Sequence, residues 1–248
     1  WRRCQSGCRG SGGQATGDRG RLRSQLMRIC LKICCISSRA EAELAIRTGA
    51  SALGLVSAMP SGPGVISEER ISDIAARTPV GVAAVLLTSL GGADDLIAQQ
   101  RRCRADVLQL CEVVPHDDLK RLRDALPGTR LMHVVHVGGE ESIAEAEAVA
   151  PLVDALLLDT GARAGAVREL GGTGRTHDWA ISARIVAATD RPTFLAGGLH
   201  AGNVGEAIAT VRPYGIDVCS GVRTAGALDP ERVRAFTAAI NAVSEGSL

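Results

Sequence analysis

From residue 31 onward, short aliphatic runs alternate with longer segments in which apolar residues recur every three or four positions. The runs are 31–36 (LKICCI), 52–56 (ALGLV), 81–87 (GVAAVLL), 106–111 (DVLQLC), 130–137 (RLMHVVHV), 155–159 (ALLLD), 192–197 (PTFLAG) and 215–220 (GIDVCS). Their length and Val, Leu and Ile content predict strands. Each is followed by an Ala/Arg/Glu-rich segment of helical period, at 39–48, 67–77, 93–104, 115–125, 142–150, 178–189, 203–212 and 229–243. Ser38, Ser67 and Asp229 stand where N-caps belong, and Pro230 follows as a first-turn proline. Glycines in TGA (48–50) and PYG (213–215) mark helix ends.

Strands in strict alternation with helices require right-handed crossovers and a parallel sheet. Eight such units are the count of a single (β/α)8 (TIM) barrel. The alternative, a doubly wound open sheet, places a glycine-rich phosphate loop after its first strand. Here that turn reads CISSRA, with no glycine, while glycines gather after strands six, seven and eight. The barrel is the expected fold, with residues 29–248 as one domain.

Composition narrows the setting. The chain has 248 residues and only five aromatic ones, so its core must be built from aliphatic side chains. Residues 1–28 hold seven arginines and one aspartate, leaving −5 for the remaining chain because the whole carries +1. That tail is Arg/Gly/Ser-rich without apolar periodicity and is expected to be disordered. It reads either as a transit peptide or as sequence upstream of a start at Met27. The acidic body gives no case for nucleic-acid binding, and no run is long enough to span a membrane. Eight cysteines, with no CxxC pair and no zinc-finger spacing, point to a reducing, cytoplasmic compartment.

In a barrel, chemistry sits at the C-terminal ends of strands. Glycine clusters at 171–174, 196–199 and 220–222 can present bare backbone N–H groups to a phosphate, or serve only as tight turns. Two of them follow strands seven and eight, where barrels commonly hold phosphate. Asp159 ends a strand of three leucines; it is either a cap or a partly desolvated carboxyl suited to general-acid work. Cys34 ends strand one and shares a face with Lys32, while Ile33 and Cys35 share the other. It is either a small core residue or a reactive thiol beside a cation. His133 and His136, three apart on one strand, face opposite ways and are not a metal pair. His177 is expected to pack in its loop, and His200, which follows the phosphate loop, is a candidate to approach the ligand.

The blocks KIC (32–34), VDALLLDT (153–160), GGTGRTHDW (171–179), LAGGLHAGNV (195–204), AIATVRPYGIDVCSGV (207–222) and DPERVRAF (229–236) together resemble the phosphoribosylanthranilate isomerase family. The resemblance implies an Amadori rearrangement in tryptophan biosynthesis, with no metal or organic cofactor. It implies Asp159 as the general acid that opens the furanose ring to a Schiff base, and Cys34 as the base that takes the C2′ proton. Gly172, Thr173, Gly174, Gly197, Gly198, Ser220 and Gly221 would hold or cover the phosphate. Lys32, Gln109, Asp217 and Arg223 would lie along the remaining substrate. The implied partner is a small phosphorylated sugar amine, bound by a monomer or homodimer.

The chain departs from the family pattern at four places. Cys35 replaces a usual glycine. Gly64 stands in the slot of an arginine that pairs with the anthranilate carboxylate. QLCE supplies Cys111 and Glu112 where QLHG is usual, and Arg223 replaces a glutamate. Arg223 is then the candidate replacement for the lost cation. Two other readings stand beside the leading one: a paralogue acting on a different amino-phosphosugar, and a non-catalytic phosphometabolite-binding barrel.

Overall fold

The computed structural model describes residues 29–60, 62–160 and 177–245. The Arg-rich tail at 1–28, and the predicted phosphate residues Gly172, Thr173 and Gly174, lie outside the described residues. Within them a closed parallel barrel forms in the order of the chain. Its strands are β1 (Cys30–Ile33), β2 (Ala52–Val56), β3 (Ala83–Thr88), β4 (Val107–Leu110), β5 (Arg130–His136), β6 (Ala155–Asp159), β7 (Thr193–Leu195) and β8 (Gly215–Val218). The helices are α1 (Arg39–Arg47), α2 (Glu68–Arg77), α3 (Ala93–Cys103), α4 (His116–Ala125), α5 (Glu141–Val149), α6 (Trp179–Ala188), α7 (Val204–Val211) and α8 (Pro230–Glu245). A short antiparallel pair, β9 (Arg223–Thr224) with β10 (Ala227–Leu228), precedes α8. Each predicted strand and helix is present within one or two residues, apart from slightly larger trims at strand ends.

Two apolar layers hold the barrel. Residues pointing outward from the strands, such as Ala84, Leu86, Leu131 and Leu158, pack under the helices. Those pointing inward, such as Val85, Leu87, Val134 and Phe194, fill the interior. With so few aromatics, the interior closes through close approach rather than bulk. Gly215 on β8 lies so near the Phe194 ring that any Cβ there would collide with it. This glycine therefore does not end α7, as the PYG pattern suggested. The helix stops at Arg212, whose backbone turns left-handed at φ +52°.

Ser38 and Ser67 cap α1 and α2 as expected, each accepting a backbone N–H three residues on. At the opposite end of the barrel, Asp106 and Asp154 accept the N–H groups of Ala84 and Leu131, tying the start of one strand to the next. At the C-terminal end, Ser57 after β2 donates its hydroxyl to the Leu87 carbonyl of β3 at 2.8 Å, and the cavity opens at this end of the barrel.

Candidate active site

A cavity of about 760 Å³, open to solvent, occupies the C-terminal mouth. Its wall includes Cys34, Cys35, Gln109, His136, Asp159 and Asp217, with Gly197, Gly198 and Ser220 on the side of β7 and β8. An apolar rim of Val56, Met59, Pro63, Leu87, Cys111 and Val134 completes it. Of the predicted site residues within the described segments, all but Lys32, Gly221 and Arg223 line this one space.

Cys34 is placed by its neighbours. Its N–H donates to Val218 O at 2.8 Å, continuing the β1–β8 pairing past the strand end. On its other side stands Gly54 of β2, where a Cβ would come within 2.8 Å of the Cys34 Sγ. The bare glycine is what leaves room for the thiol. Cys35 does not obey strand alternation. β1 ends at Ile33, and Cys35 adopts φ +61°, a left-handed conformation unfavourable for a side chain. The turn swings its thiol into the same interior cluster as Cys34, instead of onto the opposite face. It also explains Gly64: a Cβ there would lie 2.5 Å from the Cys35 Cβ. Two departures from the family pattern are thus one steric event.

Beneath the cavity, Lys32 and Asp217 form a buried ion pair, Nζ to Oδ2 at 2.8 Å, from register partners on β1 and β8. Burial opposes the lysine's charge. The Asp217 carboxylate, aided by the sulfurs of Cys34 and Cys35, outweighs it and holds the Lys32 pKa above its ordinary value. Lys32 is therefore a fixed cation under the site. Asp217 is part of the cavity wall, and its Oδ1 is buried without a partner among the described residues.

Asp159 ends β6 on the cavity wall. Burial pushes its carboxyl up to about 6, and the nearby Asp217 carboxylate adds to the rise. The Thr160 N–H, donating to Oδ1 at 2.7 Å, together with His136 and Lys32, pulls the other way without cancelling it. A carboxyl poised there can hold and release a proton near neutral pH. Cys111 differs: burial pushes its thiol up to about 12, so it stays protonated as part of the wall.

The glycines of β7 and β8 meet. Gly197 and Gly198 take φ +83° and +60°. A Cβ on Gly197 would strike Thr160, and one on Gly221 would strike the Leu199 carbonyl. The two loops therefore lie against each other with their backbones bare, and the short helical turn Ser220–Val222 begins at that seam. Bare backbone amides of this kind can receive an anion.

Arg223 stands elsewhere. Its guanidinium pairs with Glu41 (Nη1 to Oε1, 2.9 Å) and donates to the carbonyls of Cys34, Cys35 and Gly226 at 3.2, 2.6 and 2.8 Å. It supports the thiol-bearing turn from behind and does not line the cavity. Glu41 in turn accepts the N–H groups of Ser37 and Leu228. Neither this clamp nor Cys219, whose Sγ lies 3.1 Å from the Cys35 Sγ, was singled out from the sequence. The histidines divide as expected on β5: His136 enters the cavity, while His133 lies outside the barrel beside Glu145. His177 bonds to Thr160 and Ser182, and burial lowers its pKa to about 4. His200 is exposed and accepts the Gly202 N–H.

Comparison with known proteins gives a consistent result. The family model described as N-(5'phosphoribosyl)anthranilate (PRA) isomerase matches residues 31–239. A relative from Haloferax volcanii, named N-(5'-phosphoribosyl)anthranilate isomerase, is 40% identical over 84% of this chain and 91% of its own. One of the same name from Methanocella arvoryzae is 35% identical over 77% and 88%. Solved isomerases from Thermus thermophilus and Pyrococcus furiosus superpose with TM-scores of 0.74 and 0.72, at 27% and 26% identity, each over 86% of this chain and 99% of theirs. With a barrel of this topology and a match across nearly all its described residues, the chain belongs to the N-(5'-phosphoribosyl)anthranilate isomerase family.

Proposed function

We propose that this barrel isomerises N-(5'-phosphoribosyl)anthranilate by acid–base catalysis, with Asp159 as the acid and Cys34 as the base. The observation that carries the assignment is one cavity lined by both groups, with the bare glycines of β7 and β8 at one side and an apolar rim at the other. The phosphate would take the amides around Gly197, Gly198, Ser220 and Gly221, and the aryl ring the rim formed by Val56, Met59, Pro63 and Leu87. The sugar then spans the centre.

Asp159, near-neutral in its proton affinity, protonates the furanose ring oxygen. The C1′–O bond breaks as the substrate nitrogen donates its lone pair, giving an iminium. Cys34 takes the C2′ proton, and the electron pair flows to the nitrogen as an enolamine. Tautomerisation gives the ketone. The iminium nitrogen is the electron sink throughout. Asp217, ion-paired with Lys32, has a second carboxylate oxygen without a partner among the described residues, and this is the oxygen that would meet the positive nitrogen as it develops. The pair sits below the reacting carbons and orients without moving.

The partner is a small phosphorylated sugar amine, and the reaction belongs to tryptophan biosynthesis. Among the described residues no helix is long and apolar enough to cross a membrane. The test is direct. Purified protein mixed with phosphoribosylanthranilate should extinguish the substrate's fluorescence catalytically. A folded protein that binds the phosphosugar but leaves its fluorescence unchanged would refute the assignment.

A further inference from the structure

The mouth holds a thiol pair that the isomerase chemistry does not use. The Sγ atoms of Cys35 and Cys219 lie 3.1 Å apart, on the adjoining ends of β1 and β8. All three facts that bring them together are local. β1 and β8 are neighbours in the barrel, with Ile33 opposite Val218. Cys35 takes a strained left-handed backbone that aims its side chain inward. Arg223 grips the Cys35 carbonyl at 2.6 Å and so holds that turn in place. Both thiols are free, and both line the open cavity. No set of three His, Cys, Asp or Glu side chains among the described residues is arranged to hold a metal ion.

We propose that Cys35 and Cys219 form a redox-active pair, a modification site that reacts with a low-molecular-weight disulfide and closes to a Cys35–Cys219 bridge. Cys219 is the attacking sulfur. It is the more exposed of the two, and the Cys35 hydrogen bond and the Arg223 guanidinium favour its thiolate, while the same contacts with Cys219 and Cys34 keep Cys35 protonated. Its sulfur attacks the small disulfide, forms a mixed disulfide and expels one thiolate. The Cys35 sulfur then attacks Cys219, forms the S–S bond and expels the second thiolate. Two electrons pass to the small disulfide, and the two protons lost by the protein thiols end on the two released thiols.

Bonding contracts the sulfur separation from 3.1 Å to about 2.05 Å. That pulls on the turn following Cys34 and on Ser220, which follows Cys219. If these residues act as proposed above, the bridge slows turnover. A displacement of this size in a positioned base is enough for a loss of roughly tenfold or more.

The test uses the full chain, reduced and then incubated with glutathione disulfide. Thiols are alkylated and the bridged peptide is mapped by mass spectrometry, a readout that needs no substrate and stands whether or not the isomerase assignment does. The expected result is a Cys35–Cys219 linkage, loss of two hydrogen masses, and reversal by dithiothreitol. Cys219→Ser should abolish that linkage. Cys35→Gly, which removes the thiol together with its backbone strain, guards against misfolding as the explanation. Mixed disulfides alone, or a bridge through Cys34 or Cys111, would overturn the proposal. Activity is compared within each variant before and after oxidation. A bridged protein with undiminished kcat/KM would overturn the link to turnover.

Discussion

Replacing Asp159 by Asn should make the protein more stable at neutral and alkaline pH while disabling it. The wild-type carboxyl titrates at about 6 in the fold, against roughly 4 in an unfolded chain. Above pH 6 the side chain is ionised in both states, and the folded state bears the difference. About two pH units correspond to about 3 kcal/mol. Solvent in the open mouth screens some of this, leaving about 2 kcal/mol. Below about pH 4 the carboxyl is protonated in both states and the penalty disappears. Because the folded pKa is raised, Asp159 contributes least harm at low pH and most as pH climbs through 6. The amide of Asn keeps an oxygen for the Thr160 N–H and never ionises. Urea unfolding should therefore show Asp159→Asn more stable than wild type by about 2 kcal/mol near pH 8 and by under about 0.5 kcal/mol near pH 4. Turnover should fall by roughly 10²–10⁴. Equal stabilities at both pH values, or a less stable variant at pH 8, would refute the claim that the fold holds this carboxyl towards its protonated form.

Gly54→Ala places a methyl within 2.8 Å of the Cys34 Sγ and 3.0 Å of its Cα; it should destabilise by about 1–3 kcal/mol and lower kcat by displacing the thiol, as urea melts and turnover would show. Lys32→Met leaves Asp217 buried without its cation and should cost about 3–5 kcal/mol, whereas adding Asp217→Asn should recover much of that loss in a double-mutant cycle. Cys35→Gly removes a left-handed β-carbon and should stabilise by about 1 kcal/mol in the same assay. It also removes the Cys35 β-carbon that a side chain at position 64 would meet at 2.5 Å.

The architecture was legible because each element carries its own local signal. Ser38 and Ser67 mark helix starts through bonds to residues three positions away, and ALLLD or AAVLL read as strands of a parallel sheet whose faces are both covered. The place of Asp159 was legible for the same reason: it follows three buried leucines and ends β6 on the cavity wall. What escaped depends on contacts far apart in sequence or on single dihedral angles. Alternation predicts that Cys35 faces away from Cys34, and one positive φ reverses it. Arg223 reads as a spare cation until Glu41, 182 residues earlier, is seen to hold it. Cys219 sits in a block whose resemblance drew attention to Ser220 and Gly221 instead, and only the pairing of β1 with β8 brings it to Cys35.

The proposed mechanism depends on Cys34 as the proton-abstracting base. Its most direct test is the decay of phosphoribosylanthranilate fluorescence catalysed by Cys34→Ala, beside wild type, after both are shown to be folded by circular dichroism. The variant should keep the fold, because the substitution removes a single sulfur atom beside the open cavity, and should lose roughly 10²–10⁴ in kcat. A Cys34→Ala protein that turns over substrate at the wild-type rate would contradict the mechanism outright.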